Sequence, residues 1–322
     1  MKFLTSLGEA AAPTVAVEIA STRISGASVE WRGHAAVVSA HVTEPLPDGA
    51  LVPALTSANT QDRPRVLMAL NRVLEKLGRP RRIGLVVPDV VAKVSLVKFE
   101  KVPPRAQDLD QLVRWQVRKT APFPIDEAQV SHVPGLRAAD GQEFIVSIAR
   151  RDVVAEYETL CAEGGAHAGL VDLATFNVVN AVLAGGSAPA ADWLLVNVAA
   201  DYASIALLRG PHLIFFRNRA ADTEGTLADL VHQTAMYYED RLQGAGFTRV
   251  IIAGTAGPRH ADDVDEVRRS LEERLGARVD TVDPRGAAAL TDRIAAAPAL
   301  LETLAPLVGL LVRDRRREAV PA

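Results

Sequence analysis

Glu18, Ala20, Ser21 and Thr22 lie at the end of one apolar strand, and Asn197, Ala199, Ala200 and Ser204 lie around the end of another about 179 positions later. A strand-end acid followed by two small hydroxyl residues is the pattern of a phosphate cradle, where backbone N–H groups and hydroxyls approach the oxygens. Where such a turn wants glycine the chain has Ala20, and its second copy has the amide Asn197 in place of a carboxylate. Asp89, which closes the apolar run "IGLVVPD", is the remaining strand-end acid placed to act as a base.

Other chemistry is sparse. The single cysteine, Cys161, excludes an internal disulfide and fits a reducing compartment; in "YETLCAEGG" it sits near the end of an amphipathic helix and reads as structural. The seven histidines show no HxxxH pattern and there is no CxxC, so no metal site is legible. With 36 Lys+Arg against 39 Asp+Glu there is no positive excess to lay along a phosphate backbone, which argues against nucleic acid as a partner. The local basic clusters at 79–82 and 313–317 read as solvated surface. The opening "MKFLTSLGEAAAP" is too weakly apolar for a secretory signal. The apolar stretch 294–312 contains Pro298, Glu302 and Pro306, each disfavouring a spanning helix, so it reads as buried helical segments of a soluble, cytoplasmic protein.

The elements that must position these residues form a repeat. "VAVEIASTRISGASVE" reads as strand, turn and strand, and "WLLVNVAADYASIALLRGPHLIFF" repeats the scheme with a third strand after a matching Arg-Gly corner, Arg32-Gly33 in one copy and Arg209-Gly210 in the other. Helical periodicity follows in "RPRVLMALNRVLEKLG", stopped by Gly78, and then the strand "RRIGLVVPD". "AKVSLVKFEKV" is a strand, and "DLDQLVRWQVRKTAPFP" a helix with an Asp108 and Gln111 capping signal, ended by Pro122 and Pro124. A strand "EFIVSIAR", the helix carrying Cys161, and "GLVDLATFNVVNAVLAGG" lead to a small-residue linker at 185–192, where the domain boundary is expected. The second half continues helix, strand "RVIIAGTAG", helix, strand and a closing helical segment, an α/β arrangement whose ligands bind at strand carboxyl ends.

Two βββαβα halves with facing hairpin turns and a late "IIAGTAG" resemble the actin/Hsp70/hexokinase superfamily. Within it, "LVRWQVRKTAPFPIDEAQVSHVPG" at 112–135 resembles the PilM family of type IV pilus assembly, itself similar to FtsA, as do "VPDVVAKVSLVKFEKVP", "GLVDLATFNVVNAV" and "APLVGLLVRD". The resemblance implies an α/β, actin-like duplicated two-lobe fold. Lobe 1 would span 1–187 with an FtsA/PilM-type inserted subdomain at about 92–165. Lobe 2 would span 188–322, its outer subdomain largely missing because only "NRAADTEGT" occupies the place.

The resemblance also assigns roles. Nucleotide would lie against Glu18, Ser21, Thr22, Asn197 and Ser204, with Gly254, Thr255 and Gly257 in the place of the adenosine motif. Glu18, Ala20, Asn197 and Ala199 all depart from the superfamily pattern, so the site is expected to be degenerate, with no catalytic residue and no cofactor; ATP with Mg²⁺ is what intact turns would hold. The implied function is a non-catalytic adaptor of the inner-membrane pilus platform, binding the cytoplasmic N-terminal tail of a PilN-like membrane protein, with other platform proteins as further implied partners. It would meet the membrane only through that partner. The tail is expected in a groove between lobe 1 and the inserted subdomain, lined by Val94 and Leu96 of one strand and Arg114, Trp115, Arg118, Lys119 and Phe123 of the following helix. An ATPase or small-molecule kinase of the superfamily, with Asp89 as the only candidate base, and a type II secretion component are the alternatives.

Overall fold

A computed structural model describes residues 13–186, 191–221, 226–254 and 264–319, without the side chains of 264–267 and 314–319. The first half runs β1 (Val15–Ile19), β2 (Arg23–Arg32), β3 (Ala35–Pro45), α1 (Arg63–Lys76) and β4 (Arg82–Val87). A separate unit follows, made of β5 (Ala92–Phe99), α2 (Ala106–Val117), β6 (Ala128–Ala138) and β7 (Gly141–Arg150). The chain then returns through α3 (Arg151–Glu163), β8 (His167–Leu173) and α4 (Ala174–Ala184). The second half is β9 (Asp192–Val198), β10 (Tyr202–Arg209), β11 (His212–Ala220), α5 (Leu227–Leu242), β12 (Arg249–Ala253), α6 (Val264–Leu275) and β13 (Val279–Thr281), closed by β14 (Ala289–Leu290) and α7 (Pro298–Ala319).

The expected duplication is present in the strand order. One sheet runs β14-β3-β2-β1-β4-β8 and another β11-β10-β9-β12-β13, so each half repeats third, second, first, fourth, fifth. The repeat extends to detail: each pairing of second with third strand carries a register shift, at Ser28/Val29 and Leu207/Leu208, and the corner glycines Gly33 and Gly210 both have positive φ. Two-sided burial explains the first strand of each hairpin, since a strand buried on both faces reads as the continuous apolar runs of β1 and β9.

Two helices exchange between the halves, which corrects the expected boundary. α4 leaves the first half but buries Val178, Val179 and Val182 against Trp193, Leu195 and Ile251 of the second. α7 leaves the second half and sets Leu304, Leu307, Val308 and Leu311, one helical stripe, against Val29, Val38 and Val86 of the first sheet, to which β14 also adds an edge strand. The helices meet at Gly309, where a Cβ would stand 1.7 Å from the Asn177 carbonyl oxygen, so only glycine permits the crossing. α7 also runs through Pro306 as one helix, where separate segments were expected; packing on the first sheet and on α4 offsets the proline penalty of about 3 kcal/mol.

The inserted unit is a three-stranded antiparallel sheet, β5-β7-β6, with α2 packed on one face. Val97, Phe99, Val113, Val117, Phe144, Val146 and Ile148 form its core. It ends at Arg150 and not near 165: α3 places Val153, Tyr157, Leu160 and Cys161 in the core of the first lobe. α2 also begins earlier than the Asp108 signal indicated, after Arg105 and without a side-chain cap, which leaves Asp108 inside its first turn. Between β11 and α5 the chain passes from Ala220 to Leu227, too short a connection for an outer subdomain. Among the described residues no helix is long and apolar enough to cross a membrane.

Candidate functional site between the hairpin turns

The β1–β2 and β9–β10 turns face each other across the junction of the lobes and line a common cavity with Pro88, Ala174, Gly254, Glu302 and Pro306. Both turns close in the same way. Ala20 N–H donates to the Arg23 carbonyl at 2.9 Å and Ala199 N–H to the Tyr202 carbonyl at 2.8 Å. Positive φ among described non-glycine residues is confined to Arg79 and Gln243, so both alanine turns have ordinary backbone and these two amides are used inside the hairpins. A phosphate nest needs such amides turned outward.

Side chains then tie turn to turn. Ser21 Oγ donates to Asp201 Oδ1 at 3.1 Å, a contact across the lobe junction. Glu18 is buried and meets Arg23 at 3.4 Å. Burial raises the Glu18 carboxyl above its usual range and the Asp89 charge adds to this, while Arg23 opposes it. Thr22 also lines the cavity.

Beneath the turns lies a polar hub that sequence reading did not find. Asp89, fully buried in a single 3-10 turn after β4, accepts from the Thr175 amide at 3.0 Å, from the Thr175 hydroxyl and from Ser204 Oγ at 2.6 Å. Asn197 Nδ2 donates to Thr175 Oγ1 at 2.9 Å, and Asn218 Nδ2 to the Asp89 carbonyl at 3.1 Å. Asp89 thereby ties the end of β4 to α4 and β10 through its carboxylate and to β11 through its main-chain carbonyl. Burial raises the Asp89 pKa against the lowering effect of these hydroxyl and amide donors.

This geometry revises several expected roles. Ser204 is buried and donates to Asp89, so it does not face a phosphate. Asp89 is enclosed by its donors and does not present a base to an acceptor hydroxyl. Gly254 (φ +80°) closes β12 against β9, where a Cβ would lie 2.0 Å from the Val198 carbonyl oxygen; packing alone requires this glycine. Thr255 and Gly257 lie outside the described residues. The cavity measures about 50 Å³, whereas sites for small ligands occupy roughly 300–1,000 Å³. The amide of Asn197 is committed to Thr175 and brings no charge to a metal.

The second expected site, on the inserted unit, is partly redistributed. Val94 is half-buried against the first-lobe core, and Leu96, with Ile145, packs half-buried against the second-lobe core beside Phe216. Phe123 is half-buried within the core of the insert. Trp115 is 65% exposed, which settles its orientation outward; Arg118 and Lys119 are exposed beside it and Arg114 is half-buried. Cys161 is buried and its thiol is pushed up to about 12, which removes it as a nucleophile. Among the described residues no cluster of His, Cys, Asp and Glu is arranged to hold a metal.

A family model for the type IV pilus assembly protein PilM matches residues 16–246. The chain belongs to the PilM family. Like other members of an actin-like fold, this PilM-family chain has solved structural relatives. A chain of a PilM–PilN type IV pilus biogenesis complex superposes with a TM-score of 0.77 at 16% identity, over 96% of this chain and 99% of that one. A Bacteroides thetaiotaomicron protein of actin-like ATPase fold and unknown function superposes at 0.50 with 9% identity, over 87% and 93%. The cytoplasmic domain of EpsL, an inner-membrane component of the Vibrio cholerae type II secretion system, follows at 0.44 and 13%, over 74% and 80%, too distant to bear on function. No curated protein sequence matches the chain. The PilM assignment carries a role in type IV pilus assembly.

Proposed function

We propose that this PilM-family chain is a non-catalytic, cytoplasmic adaptor of the type IV pilus platform that binds the N-terminal tail of a PilN-like inner-membrane protein and reaches the membrane through it. The observation that carries the non-catalytic part is the use of the former phosphate groups as a lobe-to-lobe lock: Ser21 to Asp201 across the turns, and Asn197, Thr175 and Ser204 converging on Asp89. A nucleotide would have to displace these bonds and enlarge the cavity several-fold, and nothing in the turns repays that cost. Leu96 and Ile145 packed beside Phe216 add an apolar contact that also opposes opening.

The partner part rests on the family and on the likeness to a chain solved with PilN. The anchors are Trp115 on α2 and Arg118 and Lys119 just past its end, all exposed, with Phe123 half-buried in the core of the insert. An exposed Trp beside two cations suits an extended tail with an apolar residue and a carboxylate or carbonyl. The test is a titration of the tail peptide against wild type, Trp115→Ala and Arg118→Ala. Loss of binding in a folded variant supports this surface; equal binding by both variants moves the interface elsewhere.

A further inference from the structure

The face of the insert sheet away from α2 lies across the junction of the lobes. Val94 and Leu96 alternate onto that one face of β5. Val94, with Ala149 of β7, packs against the first-lobe core, whereas Leu96 and its β7 partner Ile145 pack against the second. One three-stranded sheet therefore rests on two bodies.

The two bodies hold it differently. Lobe 1 is joined to it by two chain crossings, the 3-10 turn Asp89–Val91 ahead of β5 and the step from Arg150 to Arg151 into α3. Arg151 adds hydrogen bonds to the Asp126 and Ala128 carbonyls at 2.6 and 3.3 Å. Lobe 2 reaches it through β11, the edge strand of its own sheet, over which β5 and β6 lie. Phe216 and Asn218 are two positions apart on β11 and so share one side of it. Asn218 donates to the Asp89 carbonyl at the root of the insert, while Phe216 covers the same core as Leu96 and Ile145, its ring centroid 5.2 Å from that of Phe176 on α4. Leu96, Ile145, Phe176 and Phe216 are each half-buried, whereas Trp193, Leu195 and Ile251 of that core are fully enclosed. A module seated through a small, partly exposed contact is free to move once the contact is lost.

We propose that the insert is a lever hinged on its two crossings from lobe 1, and that lobe 2 sets its rest position through a latch in which Phe216 and Asn218 of β11 hold Ile145, Leu96 and the Asp89 turn. The α2 face takes its orientation from a strand on the opposite side of the insert sheet, so Phe216 and Asn218 are positioning residues for it. Releasing the latch swings the insert while the Ser21 to Asp201 bond and the Asp89 carboxylate keep the lobes together. The latch concerns the motion of the insert alone, and it stands or falls independently of whether α2 receives a tail.

The test is double electron–electron resonance on the full chain carrying pairs of spin labels at Gln116→Cys on α2, Glu75→Cys on α1 and Glu239→Cys on α5, three exposed positions, with the buried Cys161 left in place. Each pair is measured in the otherwise wild-type chain, in Phe216→Ala, in Ile145→Ala and in Leu271→Ala, which removes a fully buried side chain from the other core of lobe 2. Circular dichroism melting shows which variants are folded, and Ile145→Val takes the place of an alanine variant that is not. Wild type is expected to give a narrow distance for every pair. Phe216→Ala and Ile145→Ala are expected to lose the narrow distance from insert to either lobe and to keep the one between the lobes, and Leu271→Ala to keep all three. Insert distances that are already broad in wild type, that stay narrow in the latch variants, or that broaden equally in Leu271→Ala would each overturn the proposal, as would a lobe-to-lobe distance that broadens together with them.

Discussion

Replacing Gly254 by alanine separates a glycine kept for a ligand from one kept for packing. At φ +80° an alanine pays about 1–2 kcal/mol for the left-handed conformation. Its Cβ would begin 2.0 Å from the Val198 carbonyl oxygen, and ordinary contact starts at 3.4 Å, so the strand ends must separate by 3.4 − 2.0, about 1.4 Å. Both partners are backbone, in β9 and just after β12, and overpacking of this kind costs about 1–3 kcal/mol. The sum is about 2–5 kcal/mol, or roughly 4–10 °C in melting temperature at about 2 °C per kcal/mol for a chain of this size. Differential scanning calorimetry of the protein without nucleotide measures it. A variant that melts within about 1 °C of wild type when free, and differs only when Mg·ATP is present, refutes the packing account.

Ser21→Ala removes the one cross-turn bond to Asp201 that the serine makes, and should lower stability by about 1 kcal/mol in urea unfolding; no change would show that the turns are held apart in solution. Asp89 has a pKa above its usual 3.8, so its charged form is disfavoured in the folded state and its contribution to stability falls as pH rises from that value through the raised one. Acidification toward pH 3.8 from above should therefore shift the melting difference between wild type and Asp89→Asn in favour of wild type; a difference independent of pH down to that value would contradict the buried-carboxylate reading. Trp115→Ala should weaken tail binding by about 2 kcal/mol, roughly thirtyfold, with an unchanged melting temperature. Phe123→Ala should lower the melting temperature because its ring packs in the core of the insert; calorimetry on both variants separates anchor from core.

The duplicated sheets were legible because their signal is local: two-sided burial writes continuous apolar runs, and the Arg-Gly corners mark where each second strand turns. The altered turns were legible for the same reason, position by position. The Asp89 hub was not, because its bonds join residues 86, 115 and 129 positions away and nothing local to "VVPD" distinguishes a buried acceptor from an exposed base. The crossing of α4 and α7 escaped as well, since an apolar stripe states that a helix is buried and not which sheet buries it. The strand row Val94 and Leu96 showed correct alternation, but alternation leaves open whether the second face meets solvent or, as found, the two lobe cores.

The most direct test of the adaptor account is isothermal calorimetry of the N-terminal tail peptide of a PilN-like protein, run without nucleotide and again with saturating Mg·ATP, with phosphate release followed in parallel. The account predicts the same affinity in both titrations and no phosphate above background. Tail binding that requires Mg·ATP, phosphate release that Glu18→Ala abolishes, or no tail binding in either condition would contradict it.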